Sequence, residues 1–183
     1  NIINILNESG GDYSPLLEWK KDGSLEHGVE MVTAPISLDI FKEKAVPIIE
    51  KLHATGFTSE KGGRCGNHIH ISKNVFSEVD QSRLVLIYAK FEKQIKILSR
   101  RGTNTSYCRD VLENFDSLDF ENSMKVADSQ KNKGKCTAIN FSNPNTIEFR
   151  VFRGTMNTNK LIANIQLGFR TVSFQKVVKL KLS

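Results

Sequence analysis

Gly66–Asn67–His68–Ile69–His70–Ile71–Ser72 and Thr146–Ile147–Glu148–Phe149–Arg150–Val151–Phe152–Arg153 are the two stretches whose reading decides the fold. Successive side chains on a β-strand point to opposite faces. In the first stretch Ile69 and Ile71 therefore share one face, and His68 and His70 share the other. In the second, Ile147, Phe149 and Val151 oppose Glu148 and Arg150. The apolar sets must meet a hydrophobic layer, so the titratable sets are left on the opposite side. If both strands belong to one curved sheet, His68, His70, Glu148 and Arg150 converge.

Working outward, the chain reads as alternating strands and helices. Residues His27 to Pro35 are β-branched, bounded by Gly and Pro, and read as a strand after a turn at Asp22–Gly23. Ser37 is placed to cap a helix from about Leu38 to Ala54, with Pro47 predicting a kink or break inside it and Gly56 closing it. Gly62–Gly63 marks a loop. A long amphipathic stretch runs from Asp80 to Arg100, with Leu84, Val85, Ile87, Tyr88, Phe91, Ile95 and Leu98 as its apolar stripe. Residues 103–135 are polar, with one short helix expected around Leu118–Val126. Two strands, Cys136–Phe141 and Thr146–Phe152, flank the turn chemistry of Ser142–Asn143–Pro144–Asn145 and predict an antiparallel hairpin. A last helix is expected from Asn159 to about Val178, with Leu161, Ile162, Ile165, Phe169, Val172 and Val177 on its apolar face. The order predicts an α+β fold: one domain over residues 1–183, a curved, mostly antiparallel sheet, and helices packed on one face.

Composition narrows the class. The chain has 183 residues, 39% hydrophobic and 25% charged, which fits a globular domain. No apolar run approaches the roughly 20 residues that span a bilayer, and no basic region followed by an apolar stretch marks a signal peptide. A membrane is not expected as a partner, and the expected location is cytoplasmic. Cys65, Cys108 and Cys136 form no CxxC pair and read as free thiols, although Cys65 lies close enough to His68 for a Cys/His nucleophile to be conceivable. The net charge of +6 favours phosphate-rich partners, nucleotide or nucleic acid, but no basic stretch is interleaved with aromatics as a single-strand binder requires.

The chemistry of the two strands has several readings. Taken singly, an HxH strand also fits a solvated face, and Glu-x-Arg also fits a surface ion pair. A zinc hydrolase would want further ligands near His70, yet Ile71, Ser72 and Lys73 follow, and only His27 and His53 remain elsewhere. A magnesium site is easier to assemble, because Glu30 and Glu148 are hard oxygen ligands. Arg150 and Arg153 beside such a site suit phosphate oxygens.

Four segments together, in order, resemble the amidoligases: Asp22–Gly23–Ser24–Leu25, Gly28 to Pro35, Gly66 to Ser72, and Ile147 to Thr155. Arg100–Arg101 with Tyr107–Cys108 is similar to an internal signature of that family. The resemblance covers about residues 13–175. It implies a glutamine synthetase catalytic-domain-like fold and an ATP- and Mg²⁺-dependent carboxylate–amine ligase that works through an acyl phosphate, in a family with many members from phage and mobile elements. It implies that Glu30, His68 and Glu148 bind metal, that His70 contacts nucleotide phosphate, and that Arg150 neutralises the transferring phosphoryl group. Arg153 would assist or bind the carboxylate substrate. Asp22 and Ser24 would shape the turn before the Glu30 strand. The substrates would be a carboxylate and an amine, small or carried on peptides or proteins. The family's first strand, Gly-x-Glu-x-Glu, should precede Asp22 and is not found there. The expectation is a fragment lacking that strand. A non-catalytic module reusing the fold is the alternative, and a metal-dependent hydrolase or nuclease built on His68 and His70 is a third reading.

Overall fold

The computed structural model describes residues 16–21, 28–59, 65–101, 120–130 and 136–181. The expected turn at Asp22–Gly23, with Ser24 and His27, lies outside the described residues, as do Gly62–Gly63, Tyr107 and Cys108. Contacts group the chain into two compact units, Asn1–Arg64 with Thr155–Ile162, and Cys65–Gly154 with Ala163–Ser183.

In the first unit, β1 (Leu17–Lys21) pairs antiparallel with β2 (Val29–Thr33), from Leu17 opposite Thr33 to Lys21 opposite Val29. β1 is not among the strands expected from the sequence. Its alternation is present, with Leu17 and Trp19 buried and Glu18 and Lys20 exposed, but two apolar residues in five are too few to announce a strand. The helix expected from Leu38 to Ala54 forms in three pieces: α1 (Leu38–Ile40), a π-helical stretch (Phe41–Ala45) and α2 (Val46–Ala54). The Ser37 hydroxyl caps it by accepting the Ile40 N–H at 3.2 Å. Pro47 has no N–H, and its ring crowds the carbonyl four residues earlier. The widened turn directly before it absorbs that conflict, so the chain stays helical instead of breaking. Gly56, at φ +96°, ends α2 in a conformation that a side chain would resist.

In the second unit, β3 (Gly66–Ser72), β4 (Ile139–Asn140) and β5 (Thr146–Arg153) form an antiparallel sheet in the order β3-β5-β4. The single curved sheet expected from the sequence is therefore corrected: the described strands make two small antiparallel sheets, and Glu30 lies in the first while the HxH and Glu-x-Arg strands are neighbours in the second. The expected hairpin forms, although its first strand is shorter than Cys136–Phe141. The stretch Asp80–Arg100 becomes two helices, α3 (Glu78–Lys90) and α4 (Glu92–Ser99), meeting at Phe91. Ser77 and Asp80 bond reciprocally across the first turn of α3, a capping box that starts the helix earlier than expected. The expected stripe is correct over Leu84, Val85 and Tyr88, which are fully buried, but Phe91 and Leu98 are exposed because the break at Phe91 puts α4 out of phase. The described helices continue with α5 (Phe120–Gln130) and α6 (Thr158–Lys181). Among the described residues, no helix is long and apolar enough to cross a membrane.

The core of this unit is one cluster: Ile69 and Ile71 of β3, Ile139 of β4, Ile147, Phe149, Val151 and Phe152 of β5, and Leu84, Val85 and Tyr88 of α3. Ile165 and Leu167 of α6 pack against it. Full burial of each such side chain contributes about 1.5–3 kcal/mol. Helices cover the apolar face of the sheet, and the polar residues are left on the other. Gly154 closes the β3–β5 ladder by donating its N–H to the Cys65 carbonyl at 2.9 Å. A Cβ there would lie 2.8 Å from Cys65 Cβ and 3.0 Å from its carbonyl carbon and oxygen. That neighbour is backbone and cannot swing aside, so Gly154→Ala should cost about 1–3 kcal/mol, read as a lowered thermal midpoint.

Candidate active site

The site is built on β5 and its two neighbours. His70 pairs with Glu148 across β3–β5, and Asn140 pairs with Glu148 across β4–β5. Directly opposed residues project from the same face, so register alone gathers an imidazole, a carboxylate and an amide. Glu148 is the hub. Its Oε1 accepts from Arg150 Nη1 at 2.7 Å and lies 3.2 Å from His68 Nδ1 and 3.8 Å from His70 Nε2. Its Oε2 accepts from Asn140 Nδ2 at 2.7 Å. Asn140 is itself fixed, because its Oδ1 accepts the Ser142 N–H at 2.9 Å. His70 Nδ1 lies 3.1 Å from Thr146 Oγ1.

A register shift lies beside this hub. Asn67 pairs with Phe152, but Ile69 pairs with Phe149. Two steps on β3 thus match three on β5, and β5 carries one extra residue, a bulge. Beyond it Gly66 pairs with Arg153. Gly66 has the same parity on β3 as His68 and His70, so Arg153 stands on their face. Strict alternation from Arg150 would have sent Arg153 to the opposite side.

Arg101, which follows α4, supplies a further cation. It is 7% exposed, and its Nη1 donates to the Arg150 carbonyl at 2.6 Å and reaches the Phe152 carbonyl at 3.3 Å. A Cβ on Gly66 would come 2.5 Å from Arg101 Nη1 and 2.8 Å from His68 Nε2. Gly66 therefore makes room for both groups.

His68, His70, Glu148 and Arg150 converge as strand alternation predicts, and the bulge adds Arg153 to their face. Glu30 is exposed on β2 of the first unit, opposite Lys20. Asn140 and Arg101 were not among the expected site residues. Alternation of Ile139, Asn140 and Phe141 marks Asn140 as facing the polar side; for Arg101 the signal is the Arg100–Arg101 pair that resembles a family signature, to which the sequence attaches no role, since its contacts depend on where α4 ends.

Electrostatics sets the protonation of His68. Burial, helped by Arg150, Arg101 and His70, outweighs Glu148 and lowers its pKa from 6.5 to about 4. The ring is neutral near pH 7. With Nδ1 against the carboxylate, the proton belongs there and Nε2 carries the lone pair. Between pH 6.5 and about 4 the unfolded chain holds a proton on this residue that the folded chain lacks. His68 therefore contributes its full stability above this window and loses it as pH falls through it, by up to about 1.4 kcal/mol per pH unit. Urea midpoints should fall with pH across the window, and the slope should flatten in His68→Gln.

Magnesium can be tested against this donor set. Among the described residues, no three His, Cys, Asp or Glu side chains are arranged to hold a metal ion. Glu148 is the one carboxylate at the hub, and a guanidinium and an amide already engage its two oxygens. The described residues thus suit an anion better than a hard cation.

The profile of a family described as "Putative amidoligase enzyme" matches residues 11–172. The chain belongs to the amidoligase family. Comparison with curated proteins and with solved structures gave no match. The amidoligase match spans both units and every residue of the hub, and a ligase-like enzyme is what the family's description names. The polar sheet face of this amidoligase carries arginine, histidine and one oriented carboxylate, groups suited to charge stabilisation.

Proposed function

We propose that the chain is an ATP-dependent carboxylate–amine ligase acting on the polar face of the β3-β5-β4 sheet. The observation that carries the reading is the Arg150 guanidinium, held 2.7 Å from Glu148 Oε1 beside neutral His68. A guanidinium fixed before substrate arrives meets developing phosphoryl charge without reorganising. A glutamine synthetase-like architecture belongs to the same proposal; an antiparallel sheet with helices on one face and a polar opposite face supports it.

In this reading a substrate carboxylate oxygen attacks the γ-phosphorus of ATP, and the bond to the bridging oxygen breaks as ADP leaves. An amine then attacks the acyl carbon, phosphate departs with the electron pair of the C–O bond, and the ammonium loses a proton to give the amide. Arg150 and Arg153 hold phosphate oxygens, His70 contacts the nucleotide phosphates, and Glu148 keeps Arg150 and His68 in place. Magnesium enters as the ion that travels with ATP and offsets its charge; no step here depends on a metal held by the described residues.

The test supplies ATP, Mg²⁺ and panels of carboxylates and amines. ADP release that requires both substrates, with an amide product, supports the ligase. Nucleotide binding without turnover on any panel would favour a non-catalytic module, and cleavage of nucleic acid without ATP would favour a nuclease.

A further inference from the structure

We infer that Arg101 is a positioning residue that fixes the bulge in β5 and thereby brings Arg153 onto the face of Arg150 and His68. The inference concerns register and does not depend on the ligase reading.

A bulge leaves one residue without a ladder partner and disrupts the hydrogen bonds on either side of it. Carbonyls in such a place are costly when buried and left unsatisfied. Arg101 Nη1 meets the carbonyls of Arg150 and Phe152, the residues on either side of Val151. It bridges the irregular segment and ties the β5 backbone on both sides of it. Val151 and Phe152 are both buried, at 2% and 1% exposure, so the stretch departs from strict in–out alternation where the bridge sits. With regular pairing, Arg150 and Arg153 would fall on opposite faces, and a guanidinium would enter the apolar layer.

Two further features serve this contact. Arg100 caps α4 in the left-handed region, at φ 57°, the one non-glycine residue with positive φ among those described. That strained geometry turns the chain as the helix ends and directs Arg101 to the sheet. Gly66, paired with Arg153, leaves the space that the Arg101 guanidinium fills. Both bonds come from the single nitrogen Nη1, and lysine would have to bring its ammonium to that point on a flexible stem one bond shorter, without the planar group seated beside Gly66.

The experiment is NMR on the intact chain, comparing wild type with Arg101→Lys and Arg101→Gln. Cross-strand contacts of Gly66 with Arg153 and of Asn67 with Phe152 report the bulged end. Those of Ile69 with Phe149 and Ile71 with Ile147 report the regular end. The expected result is loss of the first set, a shift of the Arg153 Nε–Hε resonance, and retention of the second set. Unchanged contacts at the bulged end in both variants would overturn the proposal. Loss of both sets would also overturn it, since Arg101 would then be needed for folding at large and not for register.

Discussion

Arg150→Lys should slow ADP release by about a hundred- to a thousandfold, while the variant stays folded. Lysine keeps the positive charge, so the Glu148 carboxylate still faces a cation and the β5 strand keeps its partner. What is lost is the planar guanidinium, which meets Glu148 through Nη1 at 2.7 Å and presents its donors in a fixed direction. In the proposed mechanism, stabilisation of transferring phosphoryl charge depends on that direction being set in advance. The loss should fall on kcat more than on the KM for ATP, because charge accumulates in the transition state and not in the bound nucleotide. Steady-state ADP release, with folding checked by circular dichroism, reads the effect. A variant within a fewfold of wild type would remove Arg150 from the phosphoryl-transfer machinery.

Glu148→Ala should destabilise the fold by about 3–5 kcal/mol, the usual range when one partner of a buried ion pair is removed. The carboxylate side chain is 8% exposed and engages Arg150, His68 and Asn140 together. Its loss leaves a largely buried guanidinium and a buried amide without their acceptor. Glu148→Gln should cost less, yet still about 1–3 kcal/mol, since its amide N–H₂ must face either the Arg150 guanidinium or the Asn140 N–H₂. Because these groups form one network, Asn140→Ala added to Glu148→Gln should cost less than the sum of the single changes. Urea unfolding of the four proteins measures the cycle. Additive costs would mean that the amide and the carboxylate act independently.

Much of the site was legible because strand alternation is a local rule. Ile69 and Ile71, or Ile147 and Phe149, declare the buried face without reference to the rest of the chain, and the histidines, Glu148 and Arg150 follow from them. The helices were readable for the same reason, although their limits were set by contacts the periodicity does not see. Ser77 and Asp80 start α3 before the expected residue, and the phase break at Phe91 exposes Phe91 and Leu98. The bulge was not legible, since it arises from pairing between strands far apart in sequence. Arg153 was assigned a role without the geometry that allows it. Arg101, noted only in a family-like pair, and Asn140 were given no role because their importance lies in partners: a backbone carbonyl 49 residues away and a carboxylate across a hairpin. β1 was missed because its second half is Lys20–Lys21.

The order of strands β3-β5-β4 has a consequence for how the site is assembled in time. Asn140 and Glu148 are eight residues apart, and the hairpin that joins them is the kind of element that closes in about 1–10 μs. His70 reaches Thr146 across 76 residues, so β3 must close a far longer loop and bear its entropy before any contact repays it. The carboxylate and its amide clamp are therefore expected to meet early, and the histidines to dock on a half-site that already exists. A newly made chain would carry the template of its anion-facing surface before it carries the surface itself.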